Sequence, residues 1–329
     1  NLNLNLIFAT QLRSYMLSRR NIRIKVLQNL YAYKQQEAQS IPVFQKALEH
    51  QFKTFYQFYY FNLLFLDDFN HFLESERSIE SEKYFPNKQV IRNTQFLDRL
   101  SFYQTMVKDP DFEQFTAKLP FDWKKYGELF NRLFIDLVQY DFFIDYSVFD
   151  EPTPEIQKAF LTNLYEFLFN EFDLFSQNME DEYICWDDDS ADVLKAIVST
   201  VNQFYDQKKF KIEGIQSKQK EDIQFGLDLF EKAIVNQSLL DELIHENTSN
   251  WDAERLTIND VIMLRMALVE FMYFETIPPK VTINEYLDIA KAYSTPKSHL
   301  FLNGVLDKIR ITLTQSGQIN KTGRGLKNE

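Results

Sequence analysis

Four histidines, one cysteine and two acidic clusters are the residues of this chain suited to catalysis or metal binding, and their spacing supports neither. His50, His71, His245 and His299 lack the i+4 histidine partner or adjacent cysteine that would set zinc ligands on one helix face. Ser298, His299 and Asp307 have the residue types of a hydrolytic triad. Sequence neighbours on one helix point in different directions, however, and no strained nucleophile turn surrounds Ser298. Asp187, Asp188 and Asp189, with Asp181 and Glu182 before them, lack the alternating ligands, central glycine and closing glutamate of a calcium loop. They fit the start of a helix, whose dipole favours acids. No catalytic residue, metal ligand or cofactor is expected.

The remaining chemical signal is cationic. Arg19, Arg20, Arg23 and Lys25 crowd the opening of a helix, where the positive end of the macrodipole disfavours each cation by about a few tenths of a kcal/mol. An anionic partner would remove that penalty; a solvated basic end is the plain alternative. Residues 1–36 hold six basic residues and no acid, residues 37–215 hold 17 against 32, and residues 216–329 hold 13 against 16, which gives +6, −15 and −3. A local anion site is compatible with the net charge of −12, because exposed charges beyond a Debye length of about 10 Å are largely screened.

The elements that must position these groups are helices. Seven glycines and nine prolines in 329 residues are too few turn residues for a strand-rich fold, and the same scarcity excludes a Walker loop or dinucleotide fingerprint. Residues 17–36 read as the first helix, with Ser18 as its cap and Ile22, Val26, Leu27 and Leu30 as its apolar side. Val43 to His71, Gln89 to Val107, Trp123 to Phe143, Pro154 to Phe172 and Asp189 to Tyr205 repeat apolar residues at i, i+3 and i+4. Tyr84-Phe85-Pro86-Asn87, Asp109-Pro110 and Glu151-Pro152-Thr153-Pro154 read as breaks. The aromatic stretch from Phe52 to Phe69 lacks interleaved cations and reads as packing; at Phe55 to Leu66 it is too short to cross a bilayer. Cys185 stands alone, so no intrachain disulfide is expected. Met16, just ahead of the first helix, is the expected native start.

Three helices are expected after Thr257. Thr282 and Glu285 have capping-box spacing, and Ser294-Thr295-Pro296 offers a hydroxyl cap followed by proline. In the last helix Leu300, Val305, Leu306 and Ile309 should form the apolar face, with Phe301 and Leu302 at its margin. The order Ile277, Pro278, Lys280, Val281, Ile283, Asn284, Glu285, then Ala290-Lys291, then Ser298-His299, Phe301 and Asn303 to Lys308 resembles the C-terminal signature of the NusB family of bacterial antitermination factors. Arg19, Arg20, Arg23, Leu27, Gln28, Leu30 and Tyr31 are similar to that family's arginine-rich first helix, while Lys232 stands where its members often have glycine.

The resemblance implies an all-α fold of NusB-like helical bundle subdomains, enlarged by an inserted helical region. The expected division is an N-terminal extension and basic helix at 1–36, an acidic insertion or expanded subdomain at 37–215, a NusB-like subdomain at 216–313 and a flexible tail at 314–329. It further implies a cytoplasmic, non-enzymatic factor in the RNA polymerase antitermination complex. Single-stranded boxA-type RNA and the small-subunit ribosomal protein NusE would be its partners. Arg19, Arg20, Arg23 and Lys25, with Lys297, Ser298 and Phe301, would form the RNA face. Lys297 replaces an acid that relatives often carry. The charge partition supports another reading, an acidic helical adaptor for protein contacts without RNA binding. A third, an appendage of an RNA methyltransferase, would need its cofactor motif on another polypeptide.

Overall fold

The computed structural model describes residues 17–36, 40–207, 210, 213–248 and 257–326, with the backbone alone at 213–218, 324 and 325. Met16, the expected start, lies outside them, as do residues 251–256 ahead of the apolar helical run. Among the described residues, fifteen α-helices and short 3-10 turns make up the regular structure and there is no β-strand, in keeping with the all-α expectation. None of the described helices is long and apolar enough to cross a membrane.

The chain divides into two compact units, Lys53–Gln219 on the one hand and Ser18–Phe52 with the chain from Lys220 onward on the other. Residues 40–52, expected with the insertion, therefore group with the first helix. The long α2 (Ile41–Ser81) contributes residues to both units.

The unit Lys53–Gln219 is built on aromatic packing. Phe55, Phe58, Phe61, Phe65 and Phe69 of α2 are fully buried, as the reading of this stripe as core required. Trp123 stacks on Phe61 at 4.2 Å between ring centroids and donates its indole N–H to the Phe61 carbonyl at 2.7 Å. Around it lie α3 (Lys88–Asn93), α4 (Ser101–Met106), α5 (Pro110–Thr116), α6 (Gly127–Leu137), α7 (Asp141–Ser147), α8 (Pro154–Asn170), α9 (Asp173–Glu182) and α10 (Trp186–Gln207). The continuous helices expected at 89–107 and 123–143 are broken into short pieces. Thr94 helps end the first, turning its hydroxyl onto the Ile91 carbonyl at 2.7 Å. Two expected breaks are helix starts. Asp109 and Thr153 accept backbone N–H bonds as N-caps, each followed by proline at the position where a missing N–H leaves nothing unsatisfied.

The second unit joins α1 (Arg19–Gln35) to the part of α11 (Glu213–Val235) from Lys220 onward, α12 (Gln237–Thr248), α13 (Ile258–Tyr273), α14 (Pro279–Tyr293) and α15 (Ser298–Gln315). Ser18 caps α1 by accepting the Asn21 N–H at 3.0 Å, as expected. α1 packs on α13, α13 on α14, and α14 on α15. Gly226 of α11 sits where a Cβ would lie 2.4 Å from the Phe52 ring and 3.2 Å from Ile22, so only glycine permits this approach.

Local chemistry corrects four expectations. α14 begins at Pro279, so Thr282 makes no capping box with Glu285; it is fully buried and donates to Glu270. The capping box is instead Thr257 with Asp260 at the start of α13. α15 begins at Ser298 with no side-chain cap, and Leu300 is 66% exposed while Leu302, Val305, Leu306, Ile309 and Leu313 form the buried stripe. Finally, much of the expected tail at 314–329 is anchored. Gly317 takes φ +71°, Gln318 N–H returns to the Leu313 carbonyl, and the Lys321 ammonium donates to the Glu270 and Phe274 carbonyls at 2.9 Å each.

Candidate nucleic-acid interface

The basic opening turn of α1 packs on the C-terminal helices, within one unit. Arg20 is the outermost of its arginines, with 46% of the side chain exposed; it bonds Glu285 at 3.2 Å and Asp288 at 2.8 Å on α14. Lys291, one turn on, shares Asp288 at 2.8 Å. The Lys291 bond and then the Arg20 charge hold the Asp288 carboxyl below its ordinary pKa, and the Glu285 bond raises that of Arg20. Arg19, 32% exposed, lies 4.0 Å from buried Asp222 and 4.2 Å above the Phe225 ring.

Arg23 points inward. Its guanidinium meets the buried Glu270 carboxylate side by side, Nε to Oε1 at 2.7 Å and Nη2 to Oε2 at 2.8 Å, and Nη1 reaches Glu285 at 3.4 Å. Thr282 and Tyr286 of α14 donate to the same carboxylate at 3.1 and 2.8 Å, so four donors surround it. Burial opposes the Arg23 charge, yet Glu270 beside it holds the pKa above the ordinary arginine value. Burial, and then the Glu270 charge, raise the Tyr286 phenol. A buried charge is tolerated when paired and fully hydrogen-bonded in this way.

The other expected contact residues divide likewise. Lys25 is buried. Ser298 is buried and donates to Asp260 at 3.1 Å, beside Ser294, which donates to the other oxygen at 2.7 Å. Lys297 is exposed and Phe301 half-buried at the start of α15. Thus Arg19, Arg20, Lys297 and Phe301 have surface to offer, whereas Arg23, Lys25 and Ser298 lie too deep to touch a macromolecule. The three arginines face four carboxylates, Asp222, Glu270, Glu285 and Asp288, so the opening turn is balanced from within.

Sequence reasoning missed Glu270 and Asp260, which organise these contacts. The signal was present: both are acids in the largely apolar α13, and a buried carboxylate there requires partners. The arrangement offers no catalytic constellation. Ser298 is tied to Asp260, Asp307 pairs with Arg310 at 2.7 Å, and no group of three metal-binding side chains occurs among the described residues.

Comparison with known proteins gives one consistent answer. The model of the NusB family matches residues 190–310. Transcription antitermination protein NusB of Salinibacter ruber is 44% identical over 102 residues, which are 31% of this chain and 64% of that protein. The Chloroherpeton thalassium protein of the same name is 39% identical over 102 residues, 31% of this chain and 48% of the relative. The chain thus spans about half to two thirds of the length of these two relatives. No solved structure matches. Transcription antitermination protein NusB of Bacillus cereus is 38% identical over 105 residues, 32% of this chain and 81% of that protein. With an all-helical unit and an extensive match to a relative of this kind, the chain belongs to the NusB family.

Proposed function

We propose that this protein is a non-enzymatic RNA-binding factor in transcription antitermination, acting on boxA-type RNA of ribosomal RNA operons together with NusE. The observation that carries this reading is the packing of the arginine-bearing α1 onto α13 and α14, with Arg20 resting on Glu285 and Asp288. It supports a surface in which the first helix and the connection into α15 act together. Arg19, Arg20 and Lys297 would meet phosphates, and Phe301 an unstacked base. Buried Arg23 sets the position of the turn that presents Arg19 and Arg20.

Internal pairing changes the expected behaviour of this face. RNA must draw Arg20 away from Glu285 and Asp288, so affinity for RNA alone is modest and a partner protein strengthens it. The same balance of charge favours a second reading, an acidic adaptor that binds protein only. Crosslinking the native complex, sequencing the attached RNA and mapping the attached peptides tests both. The expected result is boxA-type RNA attached within 19–20 or 297–301. A complex that survives ribonuclease with no RNA at those positions would support the adaptor.

A further inference from the structure

The unit Lys53–Gln219 carries a surface that neither the family match nor the proposed boxA face explains. α2 ends in a turn that holds out two adjacent aromatic side chains, Tyr84 at 91% and Phe85 at 83% exposure, edge to face at 4.6 Å between centroids. Exposed aromatic rings carry a cost in water, and these are not on a loose segment. The Glu80 carboxylate accepts the Asn87 N–H at 2.9 Å and the Lys83 ammonium, fixing both sides of the pair. Immediately beyond Asn87, Lys88, Gln89, Arg92, Gln95 and Arg99 line an open depression of about 640 Å³.

Residues 83–97 contain Lys83, Lys88 and Arg92 and no acid, within the most acidic part of the chain. Carboxylates do reach the depression. Asp98 is engaged by Arg77 at 2.8 Å, and Asp150 by Arg92 at 2.8 Å. Arg99 donates to the Phe149 carbonyl with its Nη1, its Nε and Nη2 are buried, and its guanidinium lies over the Tyr146 ring, so Arg99 forms the floor of the depression and not its contact surface. Exposed Lys88, the amides of Gln89 and Gln95 and two presented rings supply charge, hydrogen bonds and stacking together. Single-stranded nucleic acid needs those three, since every base has a π-face and every linkage a negative charge.

We infer that the surface from Tyr84 to Gln95 is a second binding site for single-stranded RNA, with bases stacking on Tyr84 and Phe85 and phosphate meeting Lys88. It goes beyond the boxA face and stands even if that face fails. A partner protein would find the same rings, and the test below separates it from RNA.

The test uses the full chain and labelled oligouridine, measured by fluorescence anisotropy in a series of salt concentrations. In an Arg19→Ala/Arg20→Ala/Lys297→Ala/Phe301→Ala background, which removes the boxA face, binding should persist. Adding Tyr84→Ala/Phe85→Ala should weaken it about tenfold, whereas Tyr84→Trp/Phe85→Trp should retain it, because stacking needs a ring and not a particular residue. Lys88→Gln should reduce the magnitude of the salt slope by about 0.7, the share of one phosphate on a single strand. The replaced rings are exposed, so an unchanged melting temperature excludes misfolding. Oligouridine carrying 4-thiouridine should crosslink to the peptide holding Tyr84 and Phe85. Unchanged affinity in the alanine variant, or loss of binding to a protein partner with RNA binding intact, overturns the inference.

Discussion

Arg23 and Glu270, 247 residues apart in sequence, form a buried side-by-side ion pair that joins α1 to α13. Thr282 and Tyr286 complete the shell, so the carboxylate draws three helices of the unit together. An arginine that sequence alone assigns to RNA is here a structural member of the family unit.

Removing one side of this pair leaves the other charge buried. Glu270→Ala should lower unfolding free energy by about 3–5 kcal/mol, as for other broken buried pairs. Arg20→Ala, although it has two carboxylate partners, should cost less than about 1 kcal/mol because the pair faces solvent. Denaturant titration of the two variants checks the contrast.

Gly226 makes a second stability test. A methyl at this position meets the buried Phe52 ring, and overpacking of this kind costs about 1–3 kcal/mol. Gly226→Ala should melt earlier than the parent, and adding Phe52→Leu should recover part of the loss by shortening the side chain in the way.

The alkaline limb of stability should show opposing contributions. Burial pushes the Lys321 ammonium down to about 8 from its ordinary 10.5. Between those values the unfolded chain binds more protons, so this residue makes stability rise with pH. Burial raises the phenols of Tyr59, Tyr165 and Tyr286 above their ordinary 10.0, so above that pH the folded chain retains more protons and stability falls. Denaturant melts from pH 7 to 11 should show both, and Lys321→Gln should remove the rise while leaving the fall.

Ser298 separates structure from recognition. Its hydroxyl is buried on Asp260, so Ser298→Ala should lower stability by about 0.5–1.5 kcal/mol, the usual worth of such a bond. RNA affinity should not change. A loss of affinity without a loss of stability would mean that this hydroxyl reaches RNA.

The all-α fold was legible because helical periodicity and scarce turn residues are local signals. So were the Ser18 cap and the aromatic core of α2, whose rings recur at helical spacing. The direction of Arg23 was harder to read. It occupies the same stripe as Ile22, Val26 and Leu27, but its charge suggested solvent, and only Glu270 on a distant helix reverses that. Thr282 was misplaced for a related reason. Capping spacing competes with a proline start at Pro279, and the buried carboxylate claims the hydroxyl. Lys321 could not be placed from sequence, because its partners are backbone carbonyls of α13, which carry no residue-specific mark.

RNA bound at Arg20 and Lys297, as proposed, must displace the carboxylates that already hold Arg20. The most direct measurement is the affinity for boxA-type RNA, with and without NusE, of the Arg20→Ala/Lys297→Ala chain across salt concentrations. Weaker binding with a salt slope smaller by about 1.4, two phosphate contacts on a single strand, is the expected result. Equal affinity and equal slope in both proteins would contradict it.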